Sequence, residues 1–228
     1  MQKNRLLFFR SYLFCTISFF SMSCFDRLPV KHNVYFNNFE SGSNEALTVY
    51  DHNGRVDSLK ISDFNNGKVF GFFNNNRVDF ELKNLPEHNT IKVEFDLLIH
   101  DKWDGNHLAP GGTVPDVWQM ILDGQLIYLS TFSNGPYQQS FPGNYIDALS
   151  PSNPANPARS NSWRSDLPGV CALKSQANGT SLYKIELTTG HSNGSVSIAC
   201  NDALQPFNSH CLKSWSIDNL RLTAIYFN

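Results

Sequence analysis

From Ile91 to Ile99 every second residue is apolar (Ile91, Val93, Phe95, Leu97, Ile99), while Lys92, Glu94 and Asp96 fall between them. A period of two puts the apolar set on one face of an extended strand and the charged set on the other. Val78, Phe80 and Leu82 alternate with Asp79 and Glu81 in the same way. Runs rich in β-branched and aromatic residues at 34–39, 46–50, 69–73, 117–122, 126–132, 182–188, 195–200 and 220–227 read as further strands. Asp123-Gly124 between two such runs predicts a hairpin turn, and His191-Ser192-Asn193-Gly194 predicts a longer one. No segment carries a helical period. Roughly ten short strands separated by turns predict an all-β domain, an antiparallel β-sandwich.

Two long stretches interrupt this rhythm. Asp101 to Asp116 is rich in Gly and Pro, and Ser133 to Gly169 holds Pro136, Pro142, Pro151, Pro154, Pro157 and Pro168. Loops of this length in a compact domain are functional or disordered. Their aromatic side chains Trp103, Tyr137, Phe141, Tyr145 and Trp163 argue against disorder, because large apolar groups are costly to leave in water. Two roles stay open for them. They fold back to cap the sandwich, or they stand exposed as platforms for a ligand.

The first 24 residues change the picture of where the domain works. Lys3, Arg5 and Arg10 precede an apolar run from Ser11 to Met22, which ends at Ser23-Cys24. The run is shorter than the roughly 20 residues that cross a bilayer, so it reads as a secretory signal over 1–23. The segment resembles a bacterial lipoprotein signal, which implies lipidation of Cys24 and a membrane anchor through the N-terminal lipid. The tether would be 24–32 and the β-sandwich domain 33–228, held in the cell envelope at the outer membrane or cell surface. Ser21-Met22-Ser23 also suits ordinary signal cleavage, which would give a soluble secreted protein. Removing 1–23 deletes three basic residues and no acidic one, taking the net charge from −2 to about −5. That acidity, without any Lys/Arg cluster, argues against a nucleic-acid partner.

Cysteines add one expectation. With Cys15 in the signal and Cys24 at the mature terminus, Cys171, Cys200 and Cys211 remain. Cys200 and Cys211 would close a short loop as a disulfide; alternatively Cys200, in step with Val196 and Ile198, is a buried small apolar residue. The polar chemistry lies in carboxylates and amides. Asp101-Lys102-Trp103-Asp104-Gly105-Asn106 places three oxygen-bearing side chains in a tight loop, a set that suits Ca2+ and equally suits a turn. Glu94 and Asp96 share one strand face, as a hydrolytic pair could and as a solvated polar face does. His100 ends a strand, and no Gly-x-Ser-x-Gly elbow is present.

Several short motifs occur in order: Phe95-Asp96-Leu97, Trp103-Asp104-Gly105-Asn106, Pro115-Asp116-Val117-Trp118, Thr131-Phe132-Ser133-Asn134, Gln139-Ser140-Phe141-Pro142-Gly143 and Ser214-Trp215-Ser216-Ile217-Asp218-Asn219. Together they resemble a module of secreted and surface-anchored bacterial proteins. The chain has Lys213-Ser214 where that pattern carries an acidic residue before the last Trp. More broadly the chain is similar to calcium-containing jelly-roll domains of the carbohydrate-binding type, with Phe39-Glu40 after the first strand and Asp218-Asn219 near the last. That resemblance implies a structural Ca2+ held by Glu40 and Asp218, with Asp104 and Asn106 as candidates for a second ion. It also implies a noncatalytic domain that binds a glycan, with Trp103, Tyr145 and Trp163 as candidate stacking platforms. A structural or protein-binding lipoprotein with a surface protein as partner is the alternative, and a polysaccharide-active enzyme a second.

Overall fold

The computed structural model describes residues 28–41, 45–110, 112–207 and 209–227. The signal segment, Cys24 and part of the tether lie outside these residues. Two antiparallel sheets form a β-sandwich, as the alternation predicts. The first runs in the order β10 (Arg164–Leu167), β11 (Thr180–Gly190), β7 (Thr90–Asp101), β13 (Lys213–Tyr226), β5 (Gly67–Phe73) and β4 (Ile61–Phe64), and β1 (Val30–Asn37) also pairs with β13. The second runs β3 (Val56–Asp57), β2 (Leu47–Tyr50), β6 (Arg77–Lys83), β12 (Ser195–Ala203), β8 (Val117–Leu122) and β9 (Gln125–Thr131). The first and last strands are hydrogen-bonded neighbours, with Asn37 opposite Leu220 and Val30 opposite Tyr226.

The apolar halves of the two-residue repeats meet between the sheets. Val93, Phe95, Leu97 and Ile99 of β7 pack in one core with Val78, Phe80, Met120 and Ile198 of the second sheet. Burying each such side chain stabilises the fold by roughly 1.5–3 kcal/mol. Phe73, Trp118, Phe132 and Trp215 close the core at one end, joined by ring contacts such as Phe73–Trp215 at 4.9 Å and Trp118–Trp215 at 6.1 Å. On the outer face of the first sheet, Val69, Leu98 and Leu167 form a second, smaller apolar cluster.

The turns show where local chemistry decides. Asp123 and Gly124 both take positive φ (47° and 79°) and join β8 to β9 in the expected hairpin. Asn65 and Asn66 do the same (48° and 69°) between β4 and β5, a hairpin beyond those the alternation predicts. Residues 191–194 do not close a hairpin, because β11 and β12 belong to different sheets. There His191 stacks on His88, with ring centroids 4.9 Å apart, and a ring-nitrogen contact of 2.6 Å fastens the crossover. The last strand is also longer than expected, because Trp215 to Asp218 already pair with β7 before a register shift between Asp218 and Arg221.

Both long segments cross between the sheets and fold back onto them. Asn134 donates its amide to the carbonyls of Ile99 (2.8 Å) and Asp101 (3.0 Å), and its oxygen accepts from the Ser181 hydroxyl at 2.6 Å. Gln139 accepts from the Ser133 N–H, the Arg159 N–H and the Tyr183 hydroxyl, at 3.0, 3.0 and 3.2 Å. These bonds give the buried amides of Asn134 and Gln139 partners. The Thr-Phe-Ser-Asn and Gln-Ser-Phe-Pro-Gly motifs are therefore the locks of a filled loop layer.

Candidate functional site

Strand ends fix what lies at the loop end of the sandwich. Across the second sheet, Tyr50 is opposite Arg77, Arg77 opposite Asn201, and Asn201 opposite Gln119. Val49, Val78, Cys200 and Met120, one residue away along these strands, point into the core, so this polar row faces outward. The turn 74–76, the β2–β3 turn and the segment after β12 rise around its end. They enclose a cleft of about 600 Å³, within the usual size of a small-ligand site.

The cleft has aromatic sides and a hydrogen-bonding floor. Tyr50, His52 and Phe207 line it, and His52 meets Phe207 edge to face at 4.6 Å. Phe207 is 47% exposed although it is large and apolar. Asn75, Asn76, Arg77, Asp79, Asn201 and Asp202 supply polar groups. The floor is held from behind: Asn75 takes φ of 56° and donates its backbone N–H to Asp202 at 2.7 Å and its amide to the Leu204 carbonyl at 3.1 Å. The other Asp202 oxygen accepts the indole N–H of Trp215. Burial pushes the Asp202 carboxyl up to about 6 against these bonds. Arg77 lies fork to fork with Asp79, at 2.6 and 2.9 Å. Asn201 accepts from the Gln119 amide at 2.8 Å.

No single run of the sequence marks this cleft. Its one signal is Asn74-Asn75-Asn76-Arg77-x-Asp79, three amides at a strand turn followed by a charged pair on one face, and each of these residues alone reads as turn or surface. The expected platforms are elsewhere, and two of the three are not platforms. Trp103 is fully buried, donates its indole N–H to the Ser214 carbonyl at 2.9 Å and packs against Phe132. Tyr145 is buried as well, its backbone N–H bonded to the Leu129 carbonyl at 2.6 Å. Burying these rings gains more than leaving them in water, so the capping role holds for both. Trp163 is 70% exposed, but it precedes β10 at the edge of the first sheet and does not line the cleft.

Among the described residues no three His, Cys, Asp or Glu side chains assemble in a form that could hold a metal ion. Glu40 and Asp218 nevertheless come near one another. Glu40 reaches from the turn after β1 to accept the Lys68 N–H of β5 at 2.9 Å. Burial and the carboxylates of Asp96 and Glu40 together raise Asp218 to about 6. Excess negative charge beside a half-buried carboxylate fits a cation in sign, and the two carboxylates would need carbonyl or water oxygens to complete the six to eight ligands of Ca2+. Asp104 and Asn106 have other partners. The Lys213 ammonium lies between Asp104 (2.9 Å) and buried Asp116 (2.6 Å); its burial works to lower its pKa, and the two carboxylates, Asp116 foremost, outweigh this and hold it above the ordinary lysine range. Asn106 accepts the Thr131 hydroxyl at 2.5 Å and donates to the Pro154 carbonyl at 2.8 Å.

The expected Cys200–Cys211 disulfide is not formed; Cys171 bonds to Cys211 and Cys200 is free. The cause is facing. Cys200 points into the core from the middle of β12, and burial raises its thiol pKa. The segment after β10 wraps Asp101, whose carboxylate accepts the Leu173 N–H at 2.8 Å, and this carries Cys171 to Cys211. Glu94 and Asp96 belong to an ion-pair ladder on the outer face of the first sheet: Lys92 with Glu94 and Glu186 at 2.6 and 3.2 Å, and Lys184 with Asp96 at 2.6 Å. His100 is fully buried between Thr180 and Ser216, with ring-nitrogen contacts of 3.0 and 2.7 Å, and burial lowers it to about 3.

No protein-family model matches the chain, and no curated protein matches it either. Among solved structures it is similar to a family 35 carbohydrate binding module from Clostridium thermocellum, at 9% identity and a TM-score of 0.35, covering 86% of this chain and 97% of that one. It is similar to the C-terminal CBM6 of LamC from Zobellia galactanivorans, at 10% identity and a TM-score of 0.32, covering 86% and 99%. It is also similar to dimeric latent PorU from Porphyromonas gingivalis, at 9% identity and a TM-score of 0.36, covering 66% of this chain and 10% of that one. Likeness at this level carries no information about a ligand.

Proposed function

We propose that the chain is an exported, lipid-anchored noncatalytic domain that recognises carbohydrate in the Tyr50–Phe207 cleft. One observation carries this reading: aromatic side chains flank a row of amide, guanidinium and carboxylate groups on the outer face of a rigid sheet. Sugars present apolar faces and a rim of hydroxyls, so they need ring surface and a mixture of donors and acceptors in fixed positions. Export rests on the N-terminal segment, and lipid attachment on Cys24. A structural Ca2+ between Glu40 and Asp218 would tie the turn after β1 to the last strand; Asp104 and Asn106 are left out of that set because Lys213, Thr131 and Pro154 already bind them.

The test is a glycan array followed by calorimetry on the domain 28–228, with Tyr50→Ala alongside. Binding by the wild type and a loss of roughly tenfold or more in Tyr50→Ala, with its melting temperature kept, is the expected result. An array without any hit would remove the reading. Palmitate labelling of the full chain, abolished by Cys24→Ser, tests the anchor. A second reading, protein recognition, is favoured by Trp163, 70% exposed beside the free edge of β10.

A further inference from the structure

The charges around the cleft do not balance. Among the residues that line it Arg77 is the one permanent cation, against the carboxylates of Asp51, Asp79 and Asp202; the Lys60 ammonium behind Asn76, at 3.4 Å, is paired with Asp57 at 3.1 Å. The guanidinium is also spoken for: its Nε and Nη2 donate to the two oxygens of Asp79 at 2.6 and 2.9 Å, the two-point geometry in which a carboxylate ligand would otherwise be held. Asp79 stands one step from Arg77 on the same outer face, opposite Thr48 and Ala199, so the strand itself keeps the pair together. Asp51 is fixed at the mouth by the backbone N–H groups of Asn53 and Arg55, at 2.8 and 2.9 Å, and these bonds, chiefly that from Arg55, hold it below the ordinary carboxylate range. A ligand with its own carboxylate or sulfate would enter against this field and meet a guanidinium whose Nε/Nη2 edge is taken and whose charge Asp79 already neutralises, leaving only the Nη1/Nη2 end.

We infer that the cleft selects uncharged, hydroxyl-rich saccharides and rejects uronate- and sulfate-bearing ones, and that Asp79 sets this selectivity by occupying Arg77. The inference rests on the carbohydrate reading and deepens it. Free hydroxyls can still use the outer donors of Arg77 and the amide of Asn201, because hydroxyls both donate and accept. Asp79→Asn removes the competing charge with little change of shape and releases the guanidinium for an anionic sugar.

The experiment measures calorimetric affinity for matched pairs of oligosaccharides, each neutral chain and the same chain oxidised at C6 to the uronate, in low salt. Wild type should prefer the neutral member by roughly tenfold or more, and Asp79→Asn should narrow or reverse the ratio, in line with the strength of a charge-assisted pair. Adding Arg77→Gln to Asp79→Asn should remove the gained uronate binding, and circular dichroism checks each variant for folding. A wild type that prefers the uronate, or an Asp79→Asn protein that binds the neutral chain with the ratio unchanged, would overturn the inference while leaving carbohydrate recognition in place. Wild type that binds neither member of any pair removes the recognition reading and this inference with it.

Discussion

Two halves of the same end of the sandwich were built from similar materials and came out opposite. One half carries the long segments 102–116 and 132–163, rich in aromatic residues, and it is filled: Trp103, Phe141 and Tyr145 are buried and the polar groups bond one another. The other half carries only the short turns 51–55 and 74–76 and the segment from Leu204, and it stays open around the cleft. Length of loop decided this. A long segment has enough chain to turn its own rings inward and satisfy its own amides; a three-residue turn such as Asn74-Asn75-Asn76 cannot cover the floor beneath it.

The contrast breaks first at Lys213. Its ammonium neutralises Asp104 and buried Asp116, so Lys213→Ala leaves two carboxylates facing each other in the filled half. Stranding a buried charge costs about 3–5 kcal/mol, read as a fall in the denaturant midpoint at constant slope. Glycan affinity of the fraction that remains folded should not change. Next in size is the Cys171–Cys211 bond, with a sequence separation of 40. Replacing both cysteines by Ser should cost roughly 3–4 kcal/mol from the loop-closure entropy regained by the unfolded chain, again without weakening binding. If either change removes affinity from well-folded protein, the two halves are coupled and do not act separately.

The same division explains what could be read from the sequence. The sheets were legible because burial on one face imposes a period of two, which β8 shows throughout and β7 shows up to Phe95, beyond which both of its faces are buried. Strand β4 was not legible, since Ile61-Ser62-Asp63-Phe64 is too short to establish a period, although Asn65-Asn66 after it has the turn chemistry of a tight hairpin. The motifs around Trp103, Thr131 and Gln139 marked structure, because a group that must be satisfied internally constrains sequence as strongly as one that binds a ligand. The cleft was illegible for a topological reason. Tyr50, Arg77 and Asn201 lie far apart in the chain and meet only through the register of β2, β6 and β12. In the same way Cys171 met Cys211 only once the chain had wrapped Asp101.

A smaller effect sharpens the case for calcium. Asp218 is raised to about 6, above its value of roughly 4 in an unfolded chain. The folded state therefore binds more protons between these limits, so in calcium-free buffer stability falls as pH rises from about 4 through about 6 and stays low above. Asp202 shifts in the same direction and contributes its own part of the fall. Calcium needs the ionised Asp218, so its stabilising effect should be largest above pH 6 and fade below pH 4. Asp218→Asn should be more stable than wild type at pH 7 without calcium and should lose the calcium response; a melt series in EDTA and in calcium reads both. A calcium shift that survives in Asp218→Asn would place the ion elsewhere.

The smallest expected effect is at Trp163, and it bears on what kind of partner the domain takes. The ring is 70% exposed and stands at the edge of the first sheet, while the cleft is on the outer face of the second. Trp163→Ala should change stability by no more than about 0.5 kcal/mol, as exposed positions generally do, and should leave the affinity for a neutral oligosaccharide as it was. Loss of glycan binding in this variant would move the ligand from the cleft to the sheet edge. If instead a surface protein that binds the wild type no longer binds Trp163→Ala, while glycan binding persists, the edge and the cleft serve two partners. The open half of the loop end would then recognise sugar, and the rim of the opposite sheet would recognise protein.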